Sequence, residues 1–539
     1  MKNFKKLLFI AVATMPAAVL GDCCGTGVGT GCNTGCCGTD TTASCDGGHV
    51  TNKSVYVDIG PWQSGAYLHE NFFRNNRMAL VEDGWGSAFQ AVFFGGRTTD
   101  DGQNGLGRRF GLNHKRCMVV ASNIDEINNP ALNVSIDSSH FNILTEEDTF
   151  RSTICLCPRQ TYGGVLLSWK QAFWCREDNT ARWWFEFNLP VVHVNNNMNL
   201  KEEVANAGGG VDLVGGVAAT GLDGAPVVAD MTAAFKQSNW KYGKINGCRE
   251  NTELANGEFK VGYDYVRGGC CHLGSYIGLA FKTTACRTAE YVFEAVVGQE
   301  HYALMWGSNF DIAICQWENS ELYAHFAMDS RWWFEGSERR SFDLLGKGWS
   351  RYQAMYKHLD EARAALAADA GLSGTSGINL MTRDVCVTPG YQILGTMAFE
   401  YKGCRFNAEL GHTFYARMAE KVLPNWVDGP VLKAFQGAGF VNRFRTIKDP
   451  IACADEVVSA TDSVVYDRNV IHKCDVDWNS GAHEAILAHT FYGAIGYNMD
   501  DWCYPSFISI GGAYDFDAED DGTSVQRRWT IFGKIGVSF

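Results

Sequence analysis

The chain is 539 residues long, 46% hydrophobic, 13% aromatic and 20% charged, with a formal net charge of -14 at pH 7. An acid excess of that size argues against a nucleic-acid partner, whose phosphate backbone needs a basic face. No run beyond the N-terminus approaches the ~20 uncharged apolar residues of a membrane-spanning helix.

The first 21 residues have the order of an export signal. A basic head (Lys2, Lys5, Lys6) leads into the apolar run "LLFIAVATMPAAVL" and a small-residue end at Val19-Leu20-Gly21. Asp22 precedes Cys23 where acylation needs a small residue, so no lipid anchor is expected. Residues 22–50, rich in cysteine, glycine and threonine, repeat C-C-x7-C: Cys23, Cys24 and Cys32, then Cys36, Cys37 and Cys45. In an exported chain whose 20 cysteines all follow the signal, disulfides are the default. Vicinal cysteines strain a bond between themselves, so each pair is expected to reach separate partners in this chain, in a second copy or in another envelope protein. Zinc favours C-x2-4-C pairs, fits Cys32-x3-Cys36 loosely, and stays open as the alternative.

Residues 51–539 read as one antiparallel up-and-down β-barrel. Before residue 160, "KSVYVDI", "AFQAVFFGG" and "RCMVVASNI" are candidate strands. From Tyr162 onward, eleven segments alternate apolar and polar residues. In "YGGVLLSWKQAFW", Val165, Leu167, Trp169 and Phe173 oppose Ser168 and Lys170. In "ARWWFEFNLPVV", Trp183, Phe185, Phe187 and Leu189 oppose Arg182, Trp184, Glu186 and Asn188. The pattern continues through "EFKVGYDYV", "CHLGSYIGLAFK", "YALMWGSNFDIAIC", "LYAHFAMDSRWWF", "YQILGTMAFEY", "CRFNAELGHTFYAR", "AHEAILAHTFYGAIGY" and "SFISIGGAYDF". About ten residues suffice to cross a bilayer at a tilt.

The last strand, "RRWTIFGKIGVSF", places Trp529, Ile531, Gly533, Ile535, Val537 and Phe539 on one face. An apolar face ending in a terminal phenylalanine resembles the final strand of bacterial outer-membrane barrels, which implies the barrel-assembly machinery as a partner. Connections alternate between short ("REDNT", "RGG", Glu318-Asn319, Lys402-Gly403, "NMDDWCYP") and long (residues 195–257, 283–301, 335–390, 418–483 and 518–526). Short turns on one side and long loops on the other are outer-membrane topology, with the short turns periplasmic. Helices are expected in the long loops at "ADMTAAFKQSNW" and "DEARAALAADA". The three N-terminal candidates bring the strand count to 14; an extra pair, from the first 160 residues or from "SFDLL" and "RYQAMY", makes 16.

With apolar faces toward lipid, the interior carries charge of both signs. Expected pore-lining residues are Lys170, Arg182, Glu186, Lys282, Asp329, Arg331, Glu400, Arg405, Glu409, Arg417 and Lys534. Lys260, Asp264, His272, Asp311, His325, Asp515 and Arg528 share those faces. Trp183, Trp332, Tyr401, Phe406, Trp529 and Phe539 fit interfacial girdles. Cys175, Cys270, Cys271, Cys315, Cys404 and Cys503 fall at the short turns and join the six N-terminal cysteines as disulfide candidates.

Catalytic templates are absent. His483-Glu484 with His489 misses the H-E-x-x-H spacing that puts two ligands on one helix face, and no G-x-S-x-G elbow occurs. No cofactor is expected. Signal, strands, cysteine usage and Phe539 together resemble the cysteine-rich major outer-membrane porins of chlamydia-type intracellular bacteria. That resemblance implies disulfide stiffening of the envelope. The reading is therefore an outer-membrane porin of a Gram-negative-type bacterium, passing small hydrophilic solutes through a water-filled lumen. The alternatives are a non-conducting structural or adhesive barrel, and a fatty-acid-channel-type transporter of apolar solutes.

Overall fold

A computed structural model describes Ser54 and residues 56–57, 86–122, 134–143, 149–178, 180–208, 221–268, 270–367, 374–423, 430–432, 470–517 and 527–539. The expected export signal and the cysteine repeat of residues 22–50 lie outside the described residues. So do residues 209–220, 368–373, 424–429, 433–469 and 518–526 of the expected long connections.

Twelve antiparallel strands close on themselves. They are β1 (Ser87–Thr98), β2 (Arg159–Cys175), β3 (Arg182–Asn197), β4 (Gly257–Gly268), β5 (Cys271–Phe281) and β6 (Ala303–Trp317), followed by β7 (Ser320–Trp333), β8 (Gln392–Gly403), β9 (Phe406–Arg417), β10 (Ile486–Met499), β11 (Ser506–Asp517) and β12 (Arg528–Ser538). Each pairs with its chain neighbour, and β12 returns to β1 from Ala88↔Ser538 to Thr98↔Arg528. The thirteenth strand of the sheet, Cys248–Leu254, pairs only with the far half of β3.

The count corrects the expected 14–16. All eleven segments from Tyr162 onward are barrel strands, but only "AFQAVFFGG" of the three N-terminal candidates joins them. β1 is hydrogen-bonded along both edges, to β12 and β2, so no further strand fits between them. Cys117–Ala121 is a strand, but it belongs to a separate four-stranded sheet with Val134–Asp137, Arg151–Cys155 and Lys201–Asn206. At its described residues "KSVYVDI" is not strand. The segments "SFDLL" and "RYQAMY" contribute short pairings, Asp343–Leu344 and Ala354–Tyr356, among the long loops.

Those long loops build an outer layer with its own cores. One gathers Phe110, Phe141, Phe150, Phe235, Trp240, Trp349 and Tyr352; a second gathers Phe342, Met355, Met381, Val385, Val387 and Ile471. Trp240 stacks on Tyr352 at 5.2 Å between ring centroids. After β1 comes α1 (Asp100–Phe110), capped by the Thr99 hydroxyl, with Asp100 and Asp101 at its positive end and Arg108 and Arg109 in its last turn. The expected helix at "DEARAALAADA" is α2 (Leu359–Ala367), whereas "ADMTAAFKQSNW" yields only the single turn Met231–Ala234. Cys117 and Cys155, directly opposed on adjacent strands, form the layer's disulfide.

A polar girdle inside the barrel as candidate functional site

Strand alternation sorts the wall into two surfaces. Outward positions are large and apolar: Leu410 is 72% exposed, and Ile277, Trp332, Phe491 and Ile531 share its face. Inward positions carry the charges, and they are buried. Exposed apolar surface on this scale is stable against lipid and unstable against water, and closure removes every free sheet edge. The protein is an outer-membrane β-barrel. Trp183, Tyr401, Phe406 and Phe539 stand outward at the short-turn end, and Trp332 and Trp529 outward at the long-loop end.

Within the short-turn half, one hydrogen-bonded chain of side chains crosses eight consecutive strands. Arg182 of β3 meets Asp264 of β4 at 3.0 Å, and Asp264 also accepts from the Trp184 indole. His272 of β5 bridges Asp264 (3.2 Å) and Asp311 of β6 (3.0 Å). His325 of β7 bridges Asp311 (2.8 Å) and Glu400 of β8 (3.0 Å). Asn407 of β9 donates to Glu400, and Asn498 of β10 donates to Asn407, each at 2.7 Å. Low dielectric makes each of these contacts strong and each missing partner costly.

A second set lies nearer the long loops. Lys260 approaches Glu258 (3.5 Å) and Glu186 (3.8 Å), while Arg331 holds Glu258 and Asp329 at 2.7 Å each. Tyr276 donates to Asp329 at 2.5 Å, and Lys170 sits 3.8 Å from the Trp184 ring centroid. The free space among Lys170, Glu186, Lys260 and Asp329 is about 20 Å³, enough for about one water. On the other side Arg528 reaches Asp515 and Gln160, and Thr490 donates to Asp515.

Nine of the eleven expected pore-lining residues face the interior: Lys170, Arg182, Glu186, Asp329, Arg331, Glu400, Glu409, Arg417 and Lys534. Two are corrected. Lys282 lies past the end of β5 and bonds to Cys286, and Arg405 is a turn residue paired with Asp501 on the short-turn rim. Each lies one residue beyond its strand, where the alternation no longer holds. Several inward charges also pair with one another across strands, Arg182 with Asp264, Lys260 with Glu186 and Glu258, and Arg331 with Glu258 and Asp329.

Where barrel meets outer layer, a third cluster is buried. Arg340 pairs with Glu338 (2.6 Å) and Glu420 (3.4 Å), Arg417 pairs with Glu420, and His301 meets Glu338 at 2.7 Å. Burial alone would raise the Glu338 carboxyl, but Arg340, His301 and Arg287 outweigh it and hold it well below the carboxylate range. Glu420 behaves alike: burial is outweighed by Arg340 and Arg417, to about 2. Burial drives His483 well below its ordinary value. His489, by contrast, points outward and lies 3.1 Å from His412.

Cys175, Cys270, Cys271, Cys315, Cys404 and Cys503 all stand at the short-turn rim. Cys270, Cys271, Cys315, Cys404 and Cys503 are unbridged there. Cys117 and Cys155, which do bond, were not among the candidates; their only signal was a cysteine within each of two short apolar runs.

No family model and no curated protein matches the chain. Solved structures similar to it include an outer-membrane channel of Pseudomonas putida F1 (9% identity, TM-score 0.35, covering 84% of this chain and 96% of that one). Others are a Pseudomonas aeruginosa FadL homologue (9%, 0.26, 86% and 90%) and a TodX monoaromatic hydrocarbon channel mutant (9%, 0.29, 90% and 95%). At these scores none bears on what this barrel passes.

Proposed function

We propose that the protein is a gated outer-membrane channel for small hydrophilic solutes, with the charged girdle as its constriction. The observation that carries this reading is the interior itself: both signs of charge on facing strands, from Arg182 through Asp311 to Glu400. A transporter of apolar solutes needs a greasy lining, which a wall of carboxylates, imidazoles and guanidinium groups does not supply. The thiols at the short-turn rim support a second part of the reading, disulfide cross-linking to envelope proteins or to another copy.

A non-conducting envelope barrel is the second reading. It is favoured by the burial of the inward charges and by the ~20 Å³ left between them. Planar-bilayer recording of the refolded full chain, with and without reductant, separates the two. Discrete steps that scale with salt support the channel, and Asp311→Asn, which cuts the girdle, should raise open probability. Silence from both proteins, each shown to be folded, leaves the non-conducting barrel.

A further inference from the structure

On the outward side, the wall from β10 to β1 is not flat. A groove of about 1060 Å³ opens there on the lipid-facing surface, within the size class of sites that bury a small molecule. Its sides are Phe93, Ile495, Ile508, Ile510, Ile531 and Ile535, each 46–58% exposed and so free to be covered. Its floor is Gly533, opposite Ile510 and Phe93, and Gly95, opposite Ile531. A Cβ at either glycine would meet nothing nearer than a backbone oxygen at 3.7 Å, so the recess exists because no side chain fills it. From Trp529, at the long-loop end, to Ile535 the groove follows β12 for roughly 20 Å. That is most of the ~25 Å apolar band of an outer-membrane barrel.

The long-loop mouth of the groove is basic. Arg97 is the next outward residue after Gly95 on β1 and lies opposite Trp529, whose ring centroid is 5.9 Å from the guanidinium carbon. Arg159 of β2 shares that face. The register sets Thr161 opposite Arg97, which makes Arg159 its diagonal neighbour, on the order of 7 Å away at Cβ. Both arginines are half-buried, the Nε of each has no hydrogen-bond partner, and neither pairs with a carboxylate among the described residues. Guanidinium groups at the edge of the hydrocarbon are costly without an anion. The anion a membrane supplies there is a lipid phosphate, which takes two parallel N–H bonds from an arginine. Paired arginines above an apolar groove therefore complement a molecule with phosphate at its head and a saturated chain behind it.

We propose that this face is a binding site for one phosphorylated lipid of the outer leaflet, lipid A in a Gram-negative membrane. Its phosphate sits on Arg97 and Arg159, and one acyl chain lies in the groove over Gly95 and Gly533. Trp529 marks the boundary between the two parts, with its ring both lining the groove and facing Arg97. The long-loop end of such a barrel is the external one, which places the arginines at the level of that leaflet's head groups. Because the site is outside the lumen, it stands or falls apart from what the channel passes.

The test is native mass spectrometry of the full chain, delipidated in detergent and titrated with bisphosphorylated lipid A or with the same lipid stripped of both phosphates. One lipid A per chain is expected, with the stripped form bound at least tenfold more weakly. Gly533→Val, which fills the groove, should weaken lipid A at least tenfold. So should Arg97→Gln combined with Arg159→Gln, whereas Leu279→Ala, on the outward face of β5, leaves binding unchanged. Gly533→Val adds a strand-favouring side chain where no close atom opposes it, and the folding of every variant is checked by heat-modifiable gel mobility. Equal binding of the two lipids, or binding indifferent to the arginine variant, overturns the phosphate site. Lipid A binding untouched by Gly533→Val overturns the groove. If Gly533→Val instead turns a dimer into a monomer with lipid binding intact, the groove is an interface between copies of this chain and the proposal fails.

Discussion

Ser87, the first residue of β1, and Phe539, the last residue of the chain, exchange both backbone hydrogen bonds, at 2.8 and 2.9 Å. The barrel is therefore closed to its final residue, and the Phe539 ring stands outward at the membrane boundary. Deleting Phe539 removes two closing hydrogen bonds, about 1 kcal/mol each, and the aromatic anchor. A reduced yield of heat-modifiable, folded protein is expected. Phe539→Ala keeps the hydrogen bonds, so its yield should lie between wild type and deletion; equal yields would show that the ring alone matters.

Asp311 holds an imidazole at each carboxylate oxygen, His325 at 2.8 Å and His272 at 3.0 Å. Asp311→Asn leaves two buried bases facing one neutral amide, a loss of about 3–5 kcal/mol on the scale of broken buried ion pairs. The urea midpoint of the folded barrel should fall accordingly. Replacing Asp311, His272 and His325 together with leucine should recover none of that loss, since it takes the His325 contact from buried Glu400 and the His272 contact from buried Asp264. A triple variant more stable than Asp311→Asn would contradict this.

The outer-layer cluster gives stability a pH dependence of known sign. His483 is kept neutral by burial, so below its unfolded pKa of about 6.5 the unfolded chain takes up a proton that the folded one refuses. Stability therefore starts to fall as pH drops through 6.5. The paired carboxylates of Glu338 and Glu420 are depressed in the fold, so their contribution is full above about pH 4.3 and is lost on further acidification. Limited proteolysis of the outer layer should accelerate in two stages, the first absent in His483→Gln. Flat susceptibility between pH 7 and pH 5 in wild type would rule out the histidine stage.

Eleven strands were legible because lipid outside and polar side chains inside impose a two-residue period over ten residues or more. "RCMVVASNI" reads as barrel for the same reason: alternation reports a two-faced strand, not which sheet it enters. The interior charges were legible as inward, yet their pairing was not, since Asp311 and His325 meet only once β6 and β7 are in register. The neutral polar residues that face inward were not legible as a group. Gln90, Ser168, Ser509 and Ser538 are unremarkable neutral residues in sequence, and only burial without a partner sets them apart.

Orientation can be tested through the cysteines. Cys404 and Cys503 are exposed at short turns, while Cys248 and Cys286 are exposed at the opposite, long-loop end. A membrane-impermeant maleimide too bulky for a channel should label Cys248 and Cys286 on intact cells. Cys404 and Cys503 should react only after the outer membrane is permeabilised. Outer-membrane barrels carry short periplasmic turns and longer external loops. Labelling of Cys404 and Cys503 on intact cells would invert the barrel and move every rim thiol to the cell surface. Protection of all four before permeabilisation would instead place the outer layer beneath other surface material, and removing that material should then expose Cys248 and Cys286 first.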